Sequence, residues 1–153
     1  MKPSIMFFNF LKYSPVILLI GIPFLISCSA CTYCTDEQRL DIQYYSQGGV
    51  TGGSSGLSID SSGTASFWNQ NLNSERKITK TIKVDKDKLK GICKLLENSE
   101  VFTYKNDFVG NYTTYLIVRF GAKENKISFN KSELPTDMPE GLKHLISKLN
   151  TIE

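Results

Sequence analysis

Along residues 40–149 the spacing of apolar residues runs at two, then at helical spacing, then at two again, then at helical spacing once more. That order leaves few folds open. Leu40, Ile42 and Tyr44 alternate with polar neighbours and predict a strand. Leu57-Ser58-Ile59 resumes the alternation, Asp60-Ser61-Ser62-Gly63 is a turn signal, and Thr64 to Trp68 answers as the returning strand of a hairpin. Asn69 to Arg76 is polar and turn-prone. Ile78 to Val84 then reads as a further strand, placed near an edge because Lys80 falls on its otherwise apolar face.

The next segment changes period. Leu89, Ile92, Cys93 and Leu96 stand at i, i+3, i+4 and i+7, which predicts one buried helical stripe with Asp85 as N-cap and Val84 and Leu89 as a hydrophobic staple across it. Gly91 weakens that helix by about 1 kcal/mol relative to alanine. Asn98-Ser99 ends it, and Val101 to Tyr104 is expected to pack the exit back onto the core. Asn111 to Phe120 is the strongest strand, with Tyr112, Leu116, Val118 and Phe120 on one face and Tyr115 and Ile117 on the other. Gly121 to Asn125 reads as a turn and Lys126 to Asn130 as the strand that pairs back. Asp137 and Glu140 look like a capping box for a last helix with Leu142, Leu145, Ile146 and Leu149 inward. The expectation is an α+β fold: an antiparallel sheet of about five or six strands with two helices on one face, in the order β-β-β-(β)-α-β-β-α.

Ahead of this domain lies the apolar run Pro15 to Ile26, closed by Ser27-Cys28. Leu25-Ile26-Ser27-Cys28 resembles the lipobox of a bacterial lipoprotein signal peptide. A small residue at Ser27 lets the backbone enter a signal peptidase, and the Cys28 thiol would carry the diacylglyceryl group. Lys2 and Lys12 supply the positive leading region. The expected division is a signal peptide over 1–27, a lipidated tether over 28–39 and a single domain over 40–153. An uncleaved transmembrane anchor is the alternative, but the run falls short of the roughly 20 apolar residues a bilayer demands. Cys31 is a weaker cleavage candidate, since Cys28 would then stand where an aliphatic residue is usual. Acylated Cys28 would hold the chain to the lipid bilayer, each buried methylene adding about 0.8 kcal/mol. That implies the cell envelope, facing the periplasm or the exterior.

The chain carries 18 basic and 15 acidic groups, and two of the lysines belong to the leader, so the domain is close to charge balance. No basic stripe with interleaved aromatics argues for nucleic acid. Cys28, Cys31 and Cys34 are spaced C-x-x-C-x-x-C, superficially like part of an iron–sulfur run, yet an acylated Cys28 cannot also be a thiolate ligand. No cofactor or metal is expected. Cys31 and Cys34 could pair in an oxidising envelope, and Cys93 reads as an inert buried thiol. His144, the only histidine, lies on the polar side of the last helix with no partner, so nucleophilic triads lack their base. Asp85 and Asp87 are helix N-terminal charges rather than an acid and a base. Asn111 and Asn130, in N-x-S/T matches, are ordinary strand residues. The expected protein is not an enzyme.

What remains is Ser46 to Gly56, rich in glycine. Within it Gly48 to Gly56 either merely turns two strands or forms a binding loop, and it looks longer than the two to five residues a hairpin needs. Ser46-Gln47-Gly48-Gly49-Val50-Thr51-Gly52, followed by a Leu-x-Ile strand closed at Ser62-Gly63, resembles the emfourin family of small bacterial proteins. Val101-Phe102 at the helix exit, the aromatic strand Tyr112 to Phe120, and Pro139, Leu142, Leu145 and Ile146 in the last helix extend the likeness over roughly Leu40 to Leu149. The family includes inhibitors of thermolysin-type zinc metalloproteases. The resemblance implies a secreted metalloprotease as partner, with Gly48, Gly49, Val50, Thr51 and Gly52 entering its cleft, Val50 filling an apolar subsite and the glycines allowing close approach. Gly53-Ser54-Ser55-Gly56 and the polar stretch before the first helix depart from the family pattern. The competing expectation is a structural or adaptor lipoprotein that binds another envelope component through a sheet edge or through an exposed Trp68 region.

Overall fold

Leu40–Gly48 forms the central strand, β1, in the computed structural model, which describes residues 39–50 and 52–152. Its alternation puts Leu40, Ile42 and Tyr44 inward, where they are buried. On one side β1 pairs antiparallel with β2 (Gly53–Asp60), which continues through β3 (Thr64–Gln70) to β4 (Lys77–Lys83). On the other side it pairs antiparallel with β5 (Tyr112–Phe120), which pairs with β6 (Lys123–Phe129). The order across the sheet is β4-β3-β2-β1-β5-β6. With helices α1 (Lys86–Asn98) and α2 (Glu140–Asn150), this is the α+β architecture the hydrophobic periods predict.

Both helices put their apolar stripes into one core. Ile92, Cys93 and Leu96 of α1 and Leu142, Leu145, Ile146 and Leu149 of α2 join Ile42, Ile59, Leu116, Val118, Ile127 and Phe129 from the sheet. Burying a side chain of this kind contributes about 1.5–3 kcal/mol relative to leaving it exposed. Asp85 caps α1 as its sequence position implies, accepting from the Asp87 and Lys88 amides at 2.9 and 3.3 Å. Val84 is buried and Leu89 packs against the core beside it.

Several local readings need correction. Pro139, not Asp137, is the N-cap of α2, and it offers no side-chain hydrogen bond. Asp137 instead accepts from the Tyr104 hydroxyl at 3.1 Å, so a long-range partner has taken the carboxylate that a capping box would use. The turn between β5 and β6 is only Gly121-Ala122, with Gly121 at φ +58°, and Asn125 lies within the strand. There its buried amide donates to the carbonyls of Val101 and Tyr104 and accepts from Lys105, which pins the segment leaving α1. Tyr112 has the parity of the inward row but stands beyond the core and is exposed, while Thr114 takes the buried place. Asn111 lies just outside β5.

Cys93 is disulfide-bonded rather than a thiol. Cys93 is the one cysteine among the described residues. Helical periodicity places Cys93 on the inward face but carries no information about which distant segment reaches it.

Candidate functional site

The glycine-rich stretch is mostly strand. Gln47 pairs with Ser54, Ser46 with Ser55 and Tyr45 with Gly56, and beyond the Gly48–Gly53 pair the Gly52 amide donates to the Gly49 carbonyl at 3.0 Å. The long loop expected from composition is therefore absent: small residues here serve close strand pairing, which composition alone cannot distinguish from a loop. Cys28 and Thr51, both singled out in the sequence, lie outside the described residues.

The turn is held by its own domain. Gly48, Gly49 and Gly52 have φ of +143°, +78° and +60°. A Cβ on Gly48 would fall 1.8 Å from the Asn111 carbonyl oxygen, and one on Gly49 would fall 2.6 Å from the Tyr112 hydroxyl. The Gly49 amide donates to that same Asn111 carbonyl at 2.8 Å. The close approach the glycines permit is thus to neighbouring strands of this chain. Val50 is what they leave free, with a relative exposure of 109 %.

Val50 has company. Leu72, Ile78, Val109 and Tyr112 complete the set of strongly exposed large hydrophobics among the described residues. All belong to the same end of the sheet, because Gly48 pairs with both Gly53 and Tyr112, Ser54 pairs with Gln70, and Trp68 pairs with Ile78. Leu72 lies over Gly52, its Cδ1 being 3.2 Å from where a Cβ would stand. The Val109 loop is fixed on both sides: the Ser128 hydroxyl donates to the Phe108 carbonyl, and the Gly110 amide donates to the Thr113 hydroxyl. The stretches Gln47 to Ser54, Gln70 to Ser74 and Phe108 to Thr114 hold no charged residue. Three tethered loops therefore present apolar points at this end, with Glu75, Arg76 and Asp107 just outside the uncharged stretches. Leu72 and Val109 were detectable in the sequence only as isolated apolar residues off any period.

The opposite end is where the chain enters. Leu40 pairs with Phe120, and the Gly121 amide bonds the Arg39 carbonyl. Eight residue steps at about 3.4 Å put this entry roughly 27 Å from Gly48.

Trp68 is buried, at 2 % exposure, which removes it as an exposed docking residue. It stands across from Gly56, with the Tyr45 ring 5.4 Å away and the Arg76 guanidinium stacked 3.8 Å over its ring. Tyr45 in turn stacks on Tyr115 at 5.0 Å, and the Lys126 ammonium lies 4.8 Å from the Tyr115 ring. This aromatic row crosses four strands with a cation at each end. Burial, and then the neighbouring Tyr115, hold the Tyr45 phenol above its ordinary pKa, while Arg76 acts in the opposite sense.

His144 is exposed on α2. Among the described residues, no group of three or more His, Cys, Asp and Glu side chains could hold a metal ion, and no helix is long and apolar enough to cross a membrane. No protein-family model matches the chain, and no curated protein sequence matches it.

Proposed function

We propose that this domain is a non-enzymatic protein-binding module, held at a bilayer through acylated Cys28, that offers Val50 to an apolar subsite of a protein partner. The observation that carries the reading is the complete exposure of Val50 on a turn whose three glycines are locked against Asn111, Tyr112 and Leu72. Neighbours that fill the Cβ positions of the three glycines restrict the backbone there, which lowers the ordering entropy lost on binding. Arg39 and the turn lie at opposite ends of β1, so a tether joined at Arg39 leaves the turn on the far end of the domain. The emfourin-like pattern names the partner class: a secreted thermolysin-type metalloprotease.

Titrating the processed, lipidated protein in non-ionic detergent against a panel of thermolysin-like enzymes tests this. Slowing of at least one enzyme, abolished by Val50→Asp, is the expected result. No slowing by any member, or equal slowing by the variant, sinks the inhibitor reading.

One observation favours a second reading. The edge strand β4 is exposed along almost its whole length, so an adaptor lipoprotein could pair there with another envelope component. A partner captured equally by Val50→Asp and wild type, and lost on Thr81→Pro, selects that reading.

A further inference from the structure

The chain treats the two edges of its sheet differently. At β6 the segment 106–108 runs alongside the strand: the Ser128 amide donates to the Asn106 carbonyl at 2.9 Å, and the Phe108 amide donates to the Ser128 carbonyl at 3.3 Å. At β4 no described segment does this, and six of its seven residues are exposed. The Val84 amide donates to the Gly63 carbonyl at 2.8 Å, which fixes the alternation of the β3–β4 ladder. Lys80 and Ile82 therefore turn their main-chain groups toward β3. Thr81 and Lys83 turn theirs outward, where no described strand receives them.

The side-chain charges along this edge have one sign. β4 carries Lys77, Lys80 and Lys83 and no acidic residue. Lys77 stands opposite Asn69 and Lys80 opposite Phe67, so the register shift here sets both lysines on one face of the strand. None of the three lies within ion-pair distance of a carboxylate among the described residues. Lys83 is drawn to the β2–β3 turn, where it donates to the Ser62 carbonyl and favours the Asp60 carboxylate. Lys77 and Lys80 are left as the unmatched charges. Like charges directly opposite each other weaken a strand pair, so such an edge resists a second copy of itself. A strand with carboxylates in the facing positions meets the opposite condition.

We propose that β4 is a docking edge for an extended acidic segment of a protein partner, which adds a strand through the Thr81 and Lys83 main chain and sets carboxylates beside Lys77 and Lys80. The inference names the partner chemistry of the edge-pairing reading above and rests on that reading, independently of Val50. Main-chain hydrogen bonds supply the affinity of such an added strand, and side chains select its sequence.

The test uses capped peptides matching β4 in length, built from threonine alternating with glutamate, glutamine or lysine, and the glutamate peptide N-methylated throughout. Each is added to the processed protein in non-ionic detergent. Peptide anisotropy reads binding, and amide hydrogen exchange reads Thr81 and Lys83. Saturable binding of the glutamate peptide, with slowed exchange at both amides, is the expected result. The glutamine peptide should bind about tenfold more weakly, and the lysine and N-methylated peptides not at all. Thr81→Pro should abolish binding while sparing the β3 ladder, because the proline ring replaces an outward amide. Lys77→Glu combined with Lys80→Glu should invert the preference toward the lysine peptide, and Val50→Asp should bind as wild type does. Equal binding of the glutamine peptide, lost in Thr81→Pro, keeps the edge reading and overturns the acidic partner. Full binding of the N-methylated peptide reduces the contact to charge attraction and overturns strand addition. No binding by any peptide overturns both. Protection of Thr81 and Lys83 that grows with the concentration of the protein alone makes a second copy the occupant, and also overturns the proposal.

Discussion

Gly56 lies directly opposite Tyr45 across the β1–β2 ladder, and a Cβ on Gly56 would stand 2.3 Å from both the Tyr45 Cβ and the Tyr44 carbonyl oxygen. The missing side chain is the slot through which the Tyr45 ring reaches Trp68 on the next strand. Gly56→Ala should therefore cost about 1–3 kcal/mol through overpacking between strands. Urea unfolding followed by Trp68 fluorescence measures it, and a wild-type midpoint would show that the ladder can shift without penalty.

Gly91 presents the opposite case. It sits in the middle of α1 at ordinary helical φ, and an added Cβ would meet nothing nearer than the Lys148 Nζ at 3.7 Å. Gly91→Ala should stabilise the domain by about 0.5–1 kcal/mol, since alanine loses less conformational freedom on entering the helix. The same unfolding experiment reads the gain as a higher midpoint at unchanged slope.

The contrast between these two glycines shows what a sequence can carry. The helical stripes and the inward rows of β1, β5 and β6 are legible because each residue's place depends on near neighbours with a fixed period. Gly56 is not legible in this way: its role depends on Tyr45 and Trp68, which lie on other strands. The same holds for Leu72 over Gly52 and for Asp137 beneath Tyr104. Val50 was singled out only through the resemblance to the emfourin pattern, and no hydrophobic period marks it. Val109 was not, because only the β1–β5 register brings its loop to the same end as Val50.

Asp60 supplies a pH dependence. Burial pushes its carboxyl upward, but the Ser62 hydroxyl, the Thr64 and Ser62 amides and Lys83 together outweigh that and hold it below the usual aspartate range. A carboxyl lowered by folding contributes stability that is fully present above its unfolded pKa and is lost as pH falls through its folded pKa. Asp60→Asn should therefore be less stable than wild type at pH 7. The difference should close in acid, below the ordinary aspartate value, as seen by thermal unfolding at a series of pH values.

Cys93 makes stability redox-dependent. With its sulfur in a disulfide, full reduction should lower stability by about 2–4 kcal/mol, read as a drop in the unfolding midpoint on adding a phosphine reductant. Peptide mapping without reduction should recover Cys93 only as a cross-linked fragment. Recovery of Cys93 as a free, alkylatable thiol from the oxidised protein would contradict the bond.

The turn itself separates scaffold from contact. Gly48 meets the Asn111 carbonyl oxygen at a φ that side chains rarely adopt, so Gly48→Ala must move one strand off another and should cost at least about 1–3 kcal/mol. Val50 touches nothing it would lose, and Val50→Asp should change stability by no more than about 0.5 kcal/mol. If Val50 is the contact and the glycines only aim it, partner binding falls in both variants but for different reasons. Val50→Asp should lose binding with an unchanged unfolding midpoint, whereas Gly48→Ala should lose both together. The turn around Val50, from Gln47 to Ser54, carries no charge, so partner affinity through Val50 should vary little with ionic strength. A steep fall in partner affinity with salt would mean that charged residues carry the contact and that Val50 is not the anchor.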